Sequence, residues 1–167
     1  VFSTVHANEA AGAIPRLRDL GVRASSIGPA LNLIIAQRLV RRLCEFCKVK
    51  VLPDEVLAKK IKNFLQNLPS RVRRENFQDI NIYKPKGCAK CNSVGYRGRI
   101  GIYELFLVAA ETEELIDKET NEARLEEHAL RQGMVTMRVD GILKAISGIT
   151  TLEEVEAATG PLNSSYK

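Results

Sequence analysis

The sequence predicts an α/β fold in which a basic, cysteine-bearing insertion interrupts strand-and-helix segments and a helical tail follows. Three observations carry that expectation. Ile100–Val108 (IGIYELFLV) is apolar at successive positions, the pattern of a strand covered on both faces. All four cysteines fall in two C-x-x-C pairs, Cys44/Cys47 and Cys88/Cys91, separated by 40 residues. Charge is segregated along the chain: residues 41–99 hold 15 Lys/Arg against 5 Asp/Glu, net +10, whereas 109–167 hold 6 against 12. The +5 of the 167 residues is the sum of unlike parts.

Composition sets the outer bounds. With 45% hydrophobic and 27% charged residues, the chain suits one domain or one domain with an insertion. A chain of this size buries about two thirds of its unfolded surface, so a core forms without disulfide staples. Disorder, collagen-like repeats and a small cysteine-dense secreted scaffold are excluded. No run of 18 apolar residues offers a membrane span. No basic stretch precedes Val1-Phe2, so a secretory signal is not expected, and the absence of an initiator Met reads as a piece of a longer protein.

The elements follow in order. Val1–Val5 reads as the end of a buried strand running into a His-Ala-Asn turn. Asn8 is a candidate cap for a helix with apolar positions Ala10, Ala13, Ile14, Leu17 and Leu20. Pro15 moves its regular start toward Ile14, and Gly21 stops it. Residues 25–33 read as a second helix. From Ile34 to Arg42 a helical period would mix arginines with aliphatics, so alternation is preferred. It gives a strand with Leu33, Ile35, Leu39 and Leu43 on one side and Arg38 and Arg42 on the other.

Residues 54–67 match an amphipathic helix on Val56, Leu57, Ile61, Phe64, Leu65 and Leu68, ended by Pro69-Ser70. Residues 71–87 are polar and basic, with a short strand at Ile80–Tyr83. In the tail, Asn121 opens a helix that ends at Gly133, and Thr136 opens another with Val139, Ile142, Leu143 and Ile146 inward. Thr151-Leu152-Glu153-Glu154 matches a capping box for a last short helix, in which hydroxyl and carboxylate each accept from the other's backbone N–H.

A C-x-x-C turn presents two sulfurs on one side of a tight loop, and two such knuckles complete a tetrahedral S₄ site for structural zinc. Four thiolates on Zn²⁺ leave a formal −2, which Lys48, Lys86, Lys90, Arg97 and Arg99 are near enough in sequence to offset. Two disulfides, a redox C-x-x-C and four ordinary buried cysteines are the competing readings. Disulfides need an oxidising compartment, for which there is no signal, and a redox pair needs no twin. A closed S₄ site has no open position for catalysis, so its work is to fold residues 44–98, whose apolar content is thin outside the 54–68 helix.

Several strings in order carry a family resemblance. They are Phe2-Ser3-Thr4-Val5-His6-Ala7-Asn8, Ala36-Gln37-Arg38-Leu39-Val40-Arg41-Arg42-Leu43-Cys44-Glu45-Phe46-Cys47, and Gly87-Cys88-Ala89-Lys90-Cys91-Asn92 with Gly95-Tyr96-Arg97-Gly98-Arg99-Ile100-Gly101-Ile102-Tyr103-Glu104-Leu105. Asp140-Gly141-Ile142-Leu143-Lys144-Ala145 and Gly148-Ile149-Thr150-Thr151-Leu152-Glu153-Glu154-Val155 complete the set. Together they resemble the secretion ATPases of type II secretion and type IV pilus assembly, over nearly the whole chain and most weakly over 49–83.

The resemblance implies a cytoplasmic homo-hexameric motor, peripheral at the inner membrane, that hydrolyses ATP with Mg²⁺ to move pilins or pseudopilins through a platform protein. It implies that 1–43 and 99–108 belong to the C-terminal part of a RecA-like P-loop NTPase core. Residues 44–98 become a zinc-binding insertion on Cys44, Cys47, Cys88 and Cys91, and 109–167 a helical C-terminal subdomain. His6 matches the family's His box, where an imidazole reaches toward the terminal phosphate; the plainer role is a histidine pinning a turn. No stretch fits G-x-x-x-x-G-K-[ST] and no acidic Mg²⁺-binding strand precedes Val1, so this chain is expected not to hydrolyse ATP alone.

Three other features complete the expectations. His128 reads as a solvated helix-face residue. Arg38, Arg41 and Arg42 read as a solvated strand edge or, more sharply, as subunit-interface groups able to grip a carboxylate or phosphate bidentately. The rival function is a basic zinc module. Its net +10 and Arg71-Val72-Arg73-Arg74 would meet nucleic acid, or an acidic lipid or membrane-protein loop. Few aromatics interleave that charge, so no nucleic acid is expected.

Overall fold

A computed structural model describes residues 1–77, 80–118 and 121–161. In chain order the elements are α1 (Ala13–Asp19), α2 (Ala24–Ala30), β1 (Leu33–Leu43), β2 (Lys48–Val51), α3 (Glu55–Gln66), β3 (Ile82–Pro85), β4 (Tyr96–Leu107), α4 (Ala110–Lys118), α5 (Glu122–Arg131), α6 (Met137–Ile146) and α7 (Leu152–Thr159). Two 3₁₀ turns, Arg74–Phe77 and Ala89–Cys91, complete them. The fold is mixed α/β, with two small sheets among the described residues, β1–β4 and β2–β3. No helix among the described residues is long and apolar enough to cross a membrane.

The chain divides into two compact units. The first is Val1–Gln37 with Tyr103–Thr136, and the second is Arg38–Ile102 with Met137–Lys167. Residues 44–98 therefore stay whole within the second unit, while the expected helical tail is shared between the two. Its residues 119–120 and 162–167 lie outside the described set.

The first unit is built on an apolar core of Ala10, Ala11, Ile14, Ile27, Phe106, Val108, Ile116, Leu125, Ala129 and Met134. The N-terminal end of β1 and the C-terminal end of β4 belong here, and Val108 N–H donates to Asn32 O at 3.0 Å. Ile34 and Ala36 pack on the core beside Phe106 and Val108, whereas Leu33, Ile35, Tyr103, Leu105 and Leu107 are exposed. One face of β4 is thus covered here and the other open, which corrects the expectation of a strand covered on both sides.

Two further expectations fail in this unit. Val1–Val5 is irregular, with Val1 and Phe2 exposed and no strand among the described residues pairing with them. Helix α1 starts after Gly12 with no side-chain cap, so Asn8 does not cap it. Helix α4 was not anticipated; its buried Thr112 and Ile116 sit four apart among glutamates. Asn121 does cap α5, accepting from Ala123 N–H at 2.9 Å.

The second unit holds its own apolar core, in which Ile61, Phe64 and Leu68 of α3 and its exit meet Ile142, Ala145 and Ile146 of α6 and Leu152 and Val155 of α7. Helix α3 forms where its periodicity places it, with Asp54 Oδ1 accepting from Leu57 N–H at 2.8 Å. The middle of the chain is therefore not held by cysteines alone, because its one long helix packs on the tail helices. Strands β2 and β3 pair antiparallel, Lys48 opposite Pro85 and Val51 opposite Ile82.

Along β1 the expected apolar side does not hold. Val40 and Leu43 are buried and Leu39 is exposed. Leu43 N–H donates to Ile149 O and the next residue, Cys44, donates to Gly95 O. The strand end is drawn into the cysteine knuckles, so burial changes side between residues 40 and 43.

Candidate metal centre

The knuckles are shaped by backbone conformation. Cys44 and Cys47 flank a turn closed by Cys47 N–H to Cys44 O at 3.2 Å, and Cys88 to Cys91 form a 3₁₀ turn closed at 3.1 Å. Gly87 (φ 91°) and Gly95 (φ 81°) bracket the second knuckle in left-handed conformations. A methyl added to Gly87 would lie 2.6 Å from Ser93 O, and one on Gly95 would overlap Pro85. Glycine is required at both for conformation and for space.

The result is a single cluster. The four Sγ atoms lie within 4.8 Å of one another, with Cys44–Cys88 at 3.9 Å, Cys47–Cys91 at 3.8 Å and Cys88–Cys91 at 3.7 Å. Four sulfurs about 2.3 Å from a tetrahedral Zn²⁺ stand about 3.8 Å apart, so the donor set and its edges fit that ion. All four are free thiols, and Cys44, Cys47 and Cys91 are buried.

The sulfurs are not equivalent. Burial is the largest influence on Cys47 and pushes its thiol up to about 11, against the Gly87 N–H. Burial also opposes ionisation at Cys91. There the backbone N–H groups of Cys88 and Gly95, each 3.2 Å from Sγ, together with the Cys88 and Cys47 thiols, hold it down at about 6. Cys91 is therefore held closer than Cys47 to the thiolate, the form that ligates metal. Two of the five cations expected to offset thiolate charge have other engagements. Lys48 Nζ donates to Gly148 O at 2.8 Å and lies 5.4 Å from the Tyr83 ring centre, and Lys90 Nζ stands 3.6 Å over the Phe46 ring.

A polar clamp secures the strand leading into the cluster. Glu154 Oε2 accepts from Arg41 N–H at 2.9 Å, and Oε1 accepts from Arg41 Nε at 3.0 Å and Nη2 at 2.5 Å. The Arg41 guanidinium stacks 4.2 Å over Tyr96, whose hydroxyl lies 3.2 Å from Thr151 Oγ1. Thr150 Oγ1 donates to Arg41 O at 2.8 Å. Thr151 Oγ1 accepts from Glu154 N–H as expected, but the carboxylate of Glu154 serves Arg41 rather than closing a capping box. A charge-assisted, two-pronged partner outcompetes a backbone N–H.

Arg38 and Arg42 are also committed within the chain: Arg38 Nη1 donates to Ala158 O at 2.8 Å, and Arg42 pairs with Glu45. They are not a merely solvated edge. His6 lies in the first unit, exposed on the irregular segment before α1, and is not part of the cysteine cluster. His128 is half-buried, its Nε2 3.1 Å from Thr112 Oγ1, which also accepts from Gln132 Nε2 at 3.0 Å; this corrects the solvated reading. Two residues were missed. Buried Glu104 accepts from Ala10 N–H at 2.9 Å, four residues after His6, and a lone carboxylate inside an apolar strand was its signal. Tyr96 enters the sequence reading only as part of the Gly95-Tyr96-Arg97-Gly98 string, and its part in the clamp has no sequence signal.

Comparison with known proteins gives one consistent result. A family model described as "Type II/IV secretion system protein" matches residues 1–157. The chain is 42% identical over 159 residues to the type IV pilus assembly ATPase PilB of Thermus thermophilus, covering 95% of this chain and 17% of that protein. It is 40% identical over 159 residues to the type II secretion system ATPase E of Vibrio cholerae, covering 95% of this chain and 29% of that protein. With PilB of Pseudomonas aeruginosa the identity is 38% over 160 residues, 95% of this chain and 26% of that protein. The chain spans less than a third of the length of these relatives.

Proposed function

The chain belongs to the type II/IV secretion system protein family, and from that premise we propose that it works as the C-terminal portion of an ATP-hydrolysing motor for type IV pilus assembly or type II secretion. The observation that carries this reading is the 36–42% identity to proteins named as such ATPases, sustained over about 95% of the chain. On this reading 1–43 and 99–108 contribute to a RecA-like P-loop core in a cytoplasmic homo-hexamer, 109–167 forms a helical subdomain, and the assembly is peripheral at the inner membrane beside a platform protein. ATP and Mg²⁺ are its cofactors. His6 stands toward the nucleotide's terminal phosphate, and Glu104 is a positioning residue through its bond to Ala10 N–H.

The 167 residues contain no G-x-x-x-x-G-K-[ST] string, the loop whose amides and Lys hold the phosphates. The purified chain is therefore expected to hydrolyse no ATP. Detectable Mg²⁺-dependent phosphate release by it would overturn this part of the proposal. In the longer protein, His6→Ala is expected to lower kcat at least tenfold while leaving nucleotide binding in place; unchanged turnover would remove His6 from the site.

For the tetracysteine cluster the proposed occupant is one structural Zn²⁺ held by Cys44, Cys47, Cys88 and Cys91, supported by the sulfur edges near 3.8 Å. Bound there, the ion supplies no reaction chemistry; it fixes the two knuckles to each other. Elemental analysis should return close to one zinc per chain, and a content well below one contradicts the assignment.

A further inference from the structure

Helix α3 and the segment after it carry a surface that neither the motor reading nor the metal cluster uses. Residues 59–74 hold six cations, Lys59, Lys60, Lys62, Arg71, Arg73 and Arg74, and not one Asp or Glu. Helix α3 is fixed by its buried face: Ile61 and Phe64 are buried, and Leu57, Leu65 and Leu68 pack in the same core. At 100° per residue this leaves Val56, Lys59, Lys60, Lys62, Asn63 and Gln66 on the solvent face, all exposed. Val72 joins the same core and thereby ties the 71–74 segment to the helix.

The cations are unspent. Among the described residues no carboxylate pairs with Lys59, Lys60, Lys62, Arg71 or Arg73, and Arg74 donates only to Leu68 O. The acidic residues at the helix start are Asp54, which caps it, and exposed Glu55; Glu75 follows the segment. Val56 lies on the same helix face, three and four residues before Lys59 and Lys60, and Leu52 precedes the helix; among the described residues these are the two most exposed large aliphatics of the second unit, at 67% and 79%. A soluble surface gains nothing by presenting bulky aliphatics next to lysines. At the headgroup–acyl boundary of a bilayer the same combination is favourable twice, once by burial and once by attraction to anionic headgroups.

We propose that this face of α3, with Leu52 and the 71–74 segment, docks on an anionic lipid bilayer. Nucleic acid is the poorer fit, because single strands need free aromatic faces. Phe64 and Phe77 pack in the core, Tyr83 lies beneath Lys48, Tyr96 beneath Arg41, and Phe46 beneath Lys90. An acidic protein segment would use the cations and leave Leu52 and Val56 without a role. The surface deepens the membrane-peripheral placement proposed above and rests on it only for the identity of the bilayer. The assay below contains no nucleotide, so its failure and failure of the motor reading are separately visible.

The zinc-supplemented chain is floated with vesicles of phosphatidylglycerol and phosphatidylcholine, and in parallel with pure phosphatidylcholine. It is expected to float with the anionic vesicles only and to be released as salt rises from about 0.1 to about 1 M, where the screening length falls from about 10 to about 3 Å. The triple variant K59Q/K60Q/K62Q should weaken partitioning on the order of 100-fold. The double variant L52S/V56S should weaken it roughly tenfold while keeping the salt dependence. All five positions are exposed, and unchanged circular dichroism verifies that each variant folds. Equal binding to pure phosphatidylcholine, absence from anionic vesicles, or a triple variant that binds normally would overturn the proposal. So would retention by double-stranded DNA or a polyglutamate peptide without vesicle binding.

Discussion

The two units solve the problem of stability with different materials. By sequence the first carries 6 Lys/Arg against 11 Asp/Glu and the second 19 against 9. The first closes around one apolar core containing Phe106, Ile14, Ile27, Ile116 and Leu125, all fully buried. The second divides its interior between the α3–α6–α7 core and four thiols that have little apolar company of their own. An acidic unit with a continuous core holds itself by burial. A basic unit with a divided core has one part that burial cannot close, and the sulfur cluster stands where that closure is missing.

Metal removal is the strongest way to break that contrast. Structural zinc contributes on the order of 10 kcal/mol in small modules, as much as the whole stability of a typical domain, about 5–15 kcal/mol. Chelation, or Cys91→Ser, should strip hydrogen-exchange protection from β2, β3 and the knuckle amides and lower protection across α3, α6 and α7. The amides of α1, α2, α4 and α5 should keep theirs. Undiminished protection of β2 and β3 after chelation would show that the second unit closes without metal. The complementary cut is Phe106→Ala, which should cost the first unit about 3–5 kcal/mol by opening its core. Exchange should accelerate in α2, α4 and α5 first, and a uniform loss in the knuckles as well would erase the distinction.

What was legible in the sequence follows from how local each determinant is. Asp54 and Asn121 cap α3 and α5 within three residues of themselves, and both helices stand where their caps and periodicity put them. The C-x-x-C spacing was equally local, and the structure brings all four sulfurs together across a 40-residue linker. The failures share the opposite property. Glu154 was read with its neighbour Thr151, but its carboxylate belongs to Arg41, 113 residues away. His128 was placed on a solvated face because its sequence neighbours are charged, yet Thr112 of another helix claims its ring. The open face bearing Ile35 and Leu105 was invisible because apolar sequence reports affinity for a cover and not the presence of one.

The Arg41–Glu154 clamp sharpens the comparison through pH. The hydrogen bond from Arg41 is the main cause that holds the Glu154 carboxyl below the usual carboxylate range. A depressed folded-state value means stabilisation that is complete above the unfolded pKa, about 4.3, and is lost as pH falls through the folded value. Glu154→Gln should therefore lower the melting temperature of the second unit at pH 7, by less than the core substitution lowers that of the first. The difference from wild type should close below about pH 4. A gap that persists unchanged into acid would mean that shape, not charge, holds the clamp.

The smallest effect has the opposite sign and lies in the other unit. Burial first, then the charges of Glu9 and Glu122, raise the Glu126 carboxyl above its usual range. A raised carboxyl makes the ionised form a burden on the folded state, absent below the unfolded pKa, about 4.3, and fully present above the folded value. Glu126→Gln removes that burden, so at pH 7 the first unit should gain about 0.3 kcal/mol after solvent screening, and the gain should vanish as pH falls and wild-type Glu126 takes up its proton. Acidification thus relaxes a repulsion in the acidic unit while it dissolves an ion pair in the basic one. Unit-resolved exchange should show the two carboxylate variants departing from wild type in opposite directions at pH 7, with Glu126→Gln converging on it as pH falls toward about 4.3 and Glu154→Gln only below that. Parallel departures would mean that the segregation of charge between the units has no bearing on how each is held.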